Sequence, residues 1–197
     1  MKDIGIKYVF VEDDSLLAKK KRAITIFYKL MEMNLELADV NGINLAHLCT
    51  KVNGKLCVDD ELLEVMAAAG FKKLSFPVES GSQRILDKYA TGKLDLEKHD
   101  ISALIRKAKE LKMEIGGAYT FGYPDESYSE MIRTFNLARE HISAGMDYAN
   151  FVIINTLRTS CSLKATEVAA IVPPNTIIIL EGLQNLSMEI PPLEASK

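Results

Sequence analysis

Strand-like and helix-like patterns alternate along most of this chain, and the alternation limits the folds that it can adopt. Between the strand-like segments, apolar residues recur at spacings of three, four and seven, as on one face of an amphipathic helix. Parallel strands joined by right-handed helical crossovers satisfy this order. The sequence therefore predicts an α/β fold. The expected strands lie at 6–11, 35–40, 73–78, 114–121 and 148–154.

The intervening segments carry signals for helix ends. Acidic residues open the segment 60–69 and Gly70 closes it, which suits the helix dipole and a left-handed C-cap. Ser127 and Glu130 have the spacing of a capping box. We expect a loop over 45–60 with a turn at Asn53 and Gly54. The predicted helices span 16–33, 60–69, 82–89, 96–112 and 127 to just before 145.

Polar clusters directly follow three of the predicted strands. Asp13 and Asp14 follow the first strand, residues 79–82 follow the third, and residues 122–127 follow the fourth. The carboxyl ends of parallel strands meet at one rim, because successive strand-to-helix loops converge there. The sequence therefore predicts a small-molecule site at that rim.

Composition limits the partners and the compartment. A formal net charge of −3 provides no basic field for nucleic acid. No segment offers eighteen uninterrupted apolar residues, and the first residues lack the apolar core of a signal peptide. We therefore expect a cytoplasmic protein with neither membrane nor nucleic acid as a partner.

Cysteine and histidine spacing predicts no metal site in this chain. The cysteines are odd in number and widely spaced, which argues against a disulfide framework. An iron–sulfur cluster needs several thiolates at short spacings, and zinc sites usually show paired ligands, so neither pattern is met. The residues concerned are Cys49, Cys57, Cys161, His47, His99 and His141.

Taken in order, four motifs resemble the radical S-adenosylmethionine (SAM) superfamily: the Asp13 and Asp14 pair, 60–70, 78–82 and 122–127. The resemblance covers about residues 4–155 and is strongest to Fe-S oxidoreductases that often carry a cobalamin-binding domain. It implies a partial (β/α) TIM-like barrel with parallel strands, roughly five βα units of a six-unit core. The family's Cys-x3-Cys-x2-Cys loop has no counterpart in this sequence.

The same resemblance implies functions for individual residues. Glu79 would accept hydrogen bonds from ribose hydroxyls or an ammonium, and Ser82 would expose its hydroxyl at a helix N-terminus. The turn at 122–127 would cradle the adenine side of SAM, with Asp125 replacing the usual glycine at some backbone strain. The implied cofactor contacts are Glu79, Ser80, Ser82, Gly122, Pro124 and Glu126, with a ligand rim completed by Asp13, Asp14 and Asn155.

Each motif also has a structural interpretation that the sequence leaves open. Ser82 can cap a helix while Glu79 pairs with a nearby base. The pair Asp13 and Asp14 can cap the first helix, or act as a metal pair or an acid/base pair. Residues 122–127 can form an ordinary proline-containing turn before a capped helix.

The leading functional expectation is a fragment of a radical SAM Fe-S oxidoreductase, with a barrel over 1–157. The resemblance implies that the intact form binds a 4Fe-4S cluster and cleaves SAM reductively to a 5′-deoxyadenosyl radical. Without the cluster cysteines, this chain is expected to be inactive alone. The alternatives are a non-catalytic SAM- or nucleotide-binding module and a self-associating structural fragment.

The C-terminal segment 158–197 has a different character. Four of the six prolines lie there, and we expect an extra strand at 176–180 and a loose tail at 191–197. Without a first βα unit, the strand at 6–11 should expose one edge. We therefore expect a homodimer through that edge, or coverage of it by 176–180.

Overall fold

The computed structural model describes residues 5–13, 15–90 and 94–154, and the backbone of 178–181. The helices within these residues are α1 (Lys20–Met31), α2 (Asp60–Ala69), α3 (Gln83–Tyr89), α4 (Ile101–Glu110) and α5 (Tyr128–Ser143). The strands are β1 (Tyr8–Val11), β2 (Glu36–Asp39), β3 (Cys49–Val52), β4 (Lys55–Val58), β5 (Phe71–Glu79), β6 (Glu114–Phe121), β7 (Tyr148–Ile153) and β8 (Ile178–Glu181).

The main sheet has the order β1-β2-β5-β6-β7-β8, and each neighbouring pair is parallel. Helices separate most consecutive strands of this sheet, so the connections are the predicted βα crossovers. The α/β prediction with a partial TIM-like barrel is therefore confirmed.

The central strands β5 and β6 divide the molecule into two faces. On the helix face, Leu74, Phe76 and Val78 are completely buried and belong to the core that the helices cover. On the cavity face, Pro77 and Thr120 line a cavity. Successive side chains of a strand point to opposite faces, so residues adjacent in sequence lie in different environments.

The predicted helix ends of α2 and α5 are confirmed. The Asp59 carboxylate accepts a hydrogen bond from the Leu62 amide at 3.2 Å, and Gly70 ends α2 with a φ of 107°. In α5, the Glu130 carboxylate accepts the Ser127 amide at 2.9 Å, completing the capping box. Local capping chemistry therefore sets both helices.

The expectation of a loop over 45–60 is wrong. A 3-10 helix at Leu45–Leu48 leads into an antiparallel hairpin of β3 and β4. Asn53 and Gly54 form its turn with φ values of 51° and 80°, as a two-residue turn between twisted strands requires. Helix α1 also begins four residues later than predicted, at Lys20 rather than at residue 16.

The two ends of the sheet test the expectations for its edges. The strand expected at 176–180 is present as β8, but it pairs with β7. Coverage of the β1 edge by these residues is therefore wrong. Tyr8 and Phe10 on β1 are 67% and 70% exposed, and the expected homodimer through this edge stays a prediction.

The remaining expectations for the tail and the compartment are untested. The domain boundary at 157, Cys161 and the tail at 191–197 lie outside the described residues. In the part of the chain that the structure describes, no helix is long and apolar enough to cross a membrane. The cytoplasmic location stays a prediction.

Candidate functional site

A cavity of about 420 Å³ lies at the carboxyl ends of the strands in the main sheet. This volume is within the range of about 300–1,000 Å³ that is typical of small-molecule sites. The cavity brings together residues from five βα connections and strand ends, and of the predicted rim and cofactor residues in the described part of the chain it includes Asp13 and Glu79. Its polar lining residues are Asp13, Ser15, Asn41, Asn44, His47, Glu79 and Thr120.

Glu79 reaches this cavity through an irregular strand end. The register between β5 and β6 shifts between Pro77 and Glu79, and Glu79 has a φ of 68°. Left-handed backbone costs a non-glycine residue about 1–2 kcal/mol. The Thr120 hydroxyl donates to the Glu79 carboxylate at 2.8 Å and helps to hold this conformation.

Tyr123 supports the same carboxylate, and the sequence analysis did not identify it. Its hydroxyl lies close enough to Glu79 and Thr120 for both to affect its pKa. Burial, followed by the charge of Glu79, raises the pKa of Tyr123 to about 12, so the phenol keeps its proton at neutral pH. Its ring stacks on Tyr89 at 4.8 Å between centroids. Its position within the turn at 122–127 was the sequence signal that could have identified Tyr123 as a site residue.

Asp13, one of the predicted rim residues, also lines the cavity, and its contact with a ligand stays a prediction. Its carboxylate accepts the Ser15 amide at 2.9 Å and forms an ion pair with Arg22 at 3.3 Å. Capping of α1 by Asp13 is not what the structure shows, because Lys19 occupies the N-cap position. Asp14 and Asn155 lie outside the described residues, so their predicted contacts with a ligand stay predictions.

Ser80 and Ser82 are buried against α5 rather than in the cavity. The Ser80 and Thr134 hydroxyls lie 3.2 Å apart, and the Ser82 hydroxyl donates to Glu130 at 2.8 Å. A Cβ atom on Gly81 would lie 2.6 Å from the Arg133 carbonyl oxygen, so only glycine permits this close approach. The expectation that Ser82 exposes its hydroxyl is wrong, and cofactor contact by either serine stays a prediction.

Glu130 links the loop after β5 to the loop after β6. It accepts from Arg84 at 2.8 Å and 2.7 Å in a bidentate pair, and from the Ser127 amide. The Arg84 guanidinium holds the pKa of Glu130 well below its usual range. This contact fixes the two loops relative to each other, because Ser82 binds the same carboxylate.

Asp125 ties the same turn to α3. It accepts from Lys88 and Arg84, both at 2.8 Å, and from the Tyr89 hydroxyl at 2.5 Å. The Lys88 ammonium is the main reason that the pKa of Asp125 lies far below its usual value. Asp125 does not have a positive φ, so the backbone strain expected from replacing glycine is absent.

The turn after β6 is closed by Glu126. Its carboxylate accepts the Gly122 amide at 2.8 Å and the Tyr123 amide at 3.3 Å, while Gly122 adopts a φ of 84°. Burial raises the pKa of Glu126. Pro124 is exposed on the turn. None of Gly122, Pro124 and Glu126 lines the cavity, and their contact with a cofactor stays a prediction.

No family model matches the chain. It is 30% identical over 155 residues to the cytidylyl-2-hydroxyethylphosphonate methyltransferase of Streptomyces wedmorensis, which covers 76% of this chain and 26% of the relative. It is 26% identical over 151 residues to an uncharacterized methyltransferase of Pyrococcus horikoshii, with coverage of 77% and 29%. The chain therefore spans little more than a quarter of the length of these curated relatives.

The solved structures agree on the fold. The radical SAM methyltransferase TsrM from Kitasatospora setae, with cobalamin and a [4Fe-4S] cluster, matches with a TM-score of 0.61 at 14% identity, over 77% of this chain and 28% of that chain. TsrM with tryptophan and a SAM analog matches with a TM-score of 0.56 at 13% identity, over 72% and 26%. These similarities show that the chain has a radical SAM-like fold.

The described residues do not fit an iron–sulfur cluster. Cys49 and Cys57 lie on the neighbouring strands β3 and β4, and both are half-buried. Among the residues that the structure describes, no three His, Cys, Asp or Glu side chains are placed to hold a metal ion. A cluster needs several converging thiolates, which this part of the chain does not bring together.

Proposed function

We propose that this chain forms the SAM-binding barrel of a radical SAM protein of the methyltransferase type. The observation that supports the proposal best is Glu79, which lines the cavity at the carboxyl end of β5 with its backbone in the left-handed region. Strained backbone persists only where its surroundings hold it, and it concentrates at functional sites. Thr120 provides part of those surroundings through its hydrogen bond to Glu79.

The cavity has suitable chemistry for SAM. Glu79 and Asp13 would accept hydrogen bonds from ribose hydroxyls or an ammonium group. The described lining contains two carboxylates and neither lysine nor arginine, which favours a ligand with a positive charge such as a sulfonium. SAM bound there would supply an activated methyl or adenosyl group.

The intact protein would carry out the chemistry with groups that these residues do not provide. We propose that the 4Fe-4S ligands come from polypeptide outside these 197 residues, because the three cysteines lack the required spacing. Reductive cleavage of SAM or methyl transfer would then be an activity of the larger protein. Two methyltransferases among the relatives favour methyl transfer.

Calorimetry with S-adenosylhomocysteine tests the cavity directly. We expect weak binding, and a loss of about tenfold or more in Glu79→Gln, because a hydrogen bond to a charged group contributes about 1.5–3 kcal/mol. Glu114→Gln is the matched control. Glu114 is the first residue of β6, at the end of the strand away from the cavity, and it pairs with Lys73 at 3.1 Å. Its replacement should therefore leave binding unchanged.

Two results would contradict the proposal. One is the absence of heat with millimolar ligand and a folded wild-type chain. The other is an equal loss of affinity in both variants, which would locate the effect outside the cavity.

A further inference from the structure

His47 lines the same cavity as Glu79 but belongs to none of the motifs in the sequence. It lies in the 3-10 helix Leu45–Leu48, whose first and last residues are buried in the core. The Asn44 side chain caps this helix by accepting the Ala46 amide at 3.0 Å. Two buried anchors and a cap hold the short helix, so the His47 imidazole has a defined position at the cavity.

The His47 imidazole has hydrogen-bonding atoms that no described residue of the cavity engages. Its side chain is half-buried and makes no hydrogen bond with the residues that the structure describes. Neighbouring polar groups are engaged within the protein, since Thr120 donates to Glu79 and Asp13 accepts from Ser15. An imidazole offers a donor and an acceptor, and a ligand in the cavity would satisfy them.

Charge specifies which part of a ligand His47 would contact. Within the described lining, His47 is the only side chain that can carry a positive charge, whereas Asp13 and Glu79 are carboxylates. An ammonium or hydroxyl group of a ligand would find acceptors on the carboxylates. Among the described lining residues, an anionic group would find a charge-complementary donor only at His47, since the nearby Arg22 pairs with Asp13. A cavity with both kinds of group matches a zwitterionic amino-acid moiety.

We propose that His47 is a specificity residue that binds the carboxylate of the ligand's amino-acid portion. This inference rests on the proposed function, since it assigns one end of an adenosyl amino acid to one side of the cavity. It adds a contact from the loop after β2, a region outside the four motifs that resemble the radical SAM superfamily.

The test compares two ligands by calorimetry: S-adenosylhomocysteine and 5′-methylthioadenosine, which lacks the amino-acid portion. We expect His47→Ala to weaken S-adenosylhomocysteine about tenfold and to leave 5′-methylthioadenosine within about twofold. His47→Gln keeps an N–H donor and should restore part of the lost affinity. His99→Ala is the control, because His99 lines a different cavity and bonds the Asp95 backbone at 2.8 Å.

Each outcome decides between the two proposals. If neither ligand binds the folded wild-type chain, the proposed function fails and this inference fails with it. If both ligands bind but His47→Ala weakens them equally, or changes neither, the inference is overturned while the proposed function stands. Should His47→Ala fail to fold, the ratio of the two affinities in His47→Gln gives the same decision.

Discussion

The two faces of β5 and β6 use polar residues in different ways. On the helix face, the Tyr119 hydroxyl lies 2.8 Å from His141 Nδ1, and Ser80 bonds Thr134; all four residues are buried. On the cavity face, Glu79 lines an accessible volume of about 420 Å³. Polar groups on the helix face are enclosed by the protein, whereas those on the cavity face border a volume that a ligand could enter.

The residues of one sequence motif, 79–82, therefore lie in different environments. Glu79 points to the cavity, while its neighbours Ser80 and Ser82 bind α5. We therefore expect substitutions on the helix face to change the free energy of unfolding, and substitutions on the cavity face to change ligand affinity. The following predictions test that separation.

The largest expected effect is a change in the free energy of unfolding with pH, and it concerns His141 on the helix face. Burial lowers the pKa of His141 from 6.5 to about 4, although the charge of Asp100 opposes the shift. The unfolded chain therefore binds a proton that the folded chain does not, and stability is lost as the pH falls from 6.5 to about 4. At about 1.4 kcal/mol per pKa unit, the loss approaches about 3 kcal/mol. Urea unfolding measured across this pH range checks it.

Carboxylates also titrate in this range, so the comparison needs a matched variant. His141→Gln should reduce the pH dependence of unfolding, and His99→Gln should keep it. Equal slopes in the wild type and His141→Gln would show that another group is responsible.

The next largest effect is expected when a threonine is replaced by valine, first on the helix face and then on the cavity face. Thr134→Val removes partners of the Ser80 hydroxyl and of the Gly81 amide at 2.9 Å, so we expect a loss of about 1–3 kcal/mol in unfolding free energy. Affinity for S-adenosylhomocysteine should stay within about twofold. Chemical denaturation and calorimetry on the same samples measure both quantities.

Thr120→Val is the partner experiment on the cavity face. It removes one donor to Glu79, whose side chain is only half-buried, so stability should change by about 1 kcal/mol or less. Affinity should fall about fivefold, because Glu79 loses part of its positioning. If both threonine variants lose stability and affinity in equal proportion, the two faces are not functionally separate.

A loss of similar size, in stability alone, is expected for Ser82→Ala. Glu130 keeps its two bonds from Arg84, so the loss of the Ser82 hydroxyl should cost about 1 kcal/mol of stability. Ligand affinity should not change. A clear loss of affinity with unchanged thermal stability would instead support the cofactor contact predicted for Ser82 from sequence.

Sequence alone determined the elements whose causes are local. The capping residues of α2 and α5 and the short apolar run of β5 each lie within one segment, so their effects could be read along the chain. The rim position of Asp13 and Glu79 also followed, because parallel strands deliver their carboxyl ends to one side. The turn at Asn53 was visible, but its short flanking strands were not.

Tertiary structure decided which side each polar group faces and what it meets there. Ser82 and Glu130 are 48 positions apart, so the burial of the Ser82 hydroxyl depends on how α5 packs against the loop after β5. The place of His47 in the cavity likewise depends on the anchoring of a short helix after β2. Periodicity and capping act over a few residues, whereas these contacts arise only when distant segments pack together.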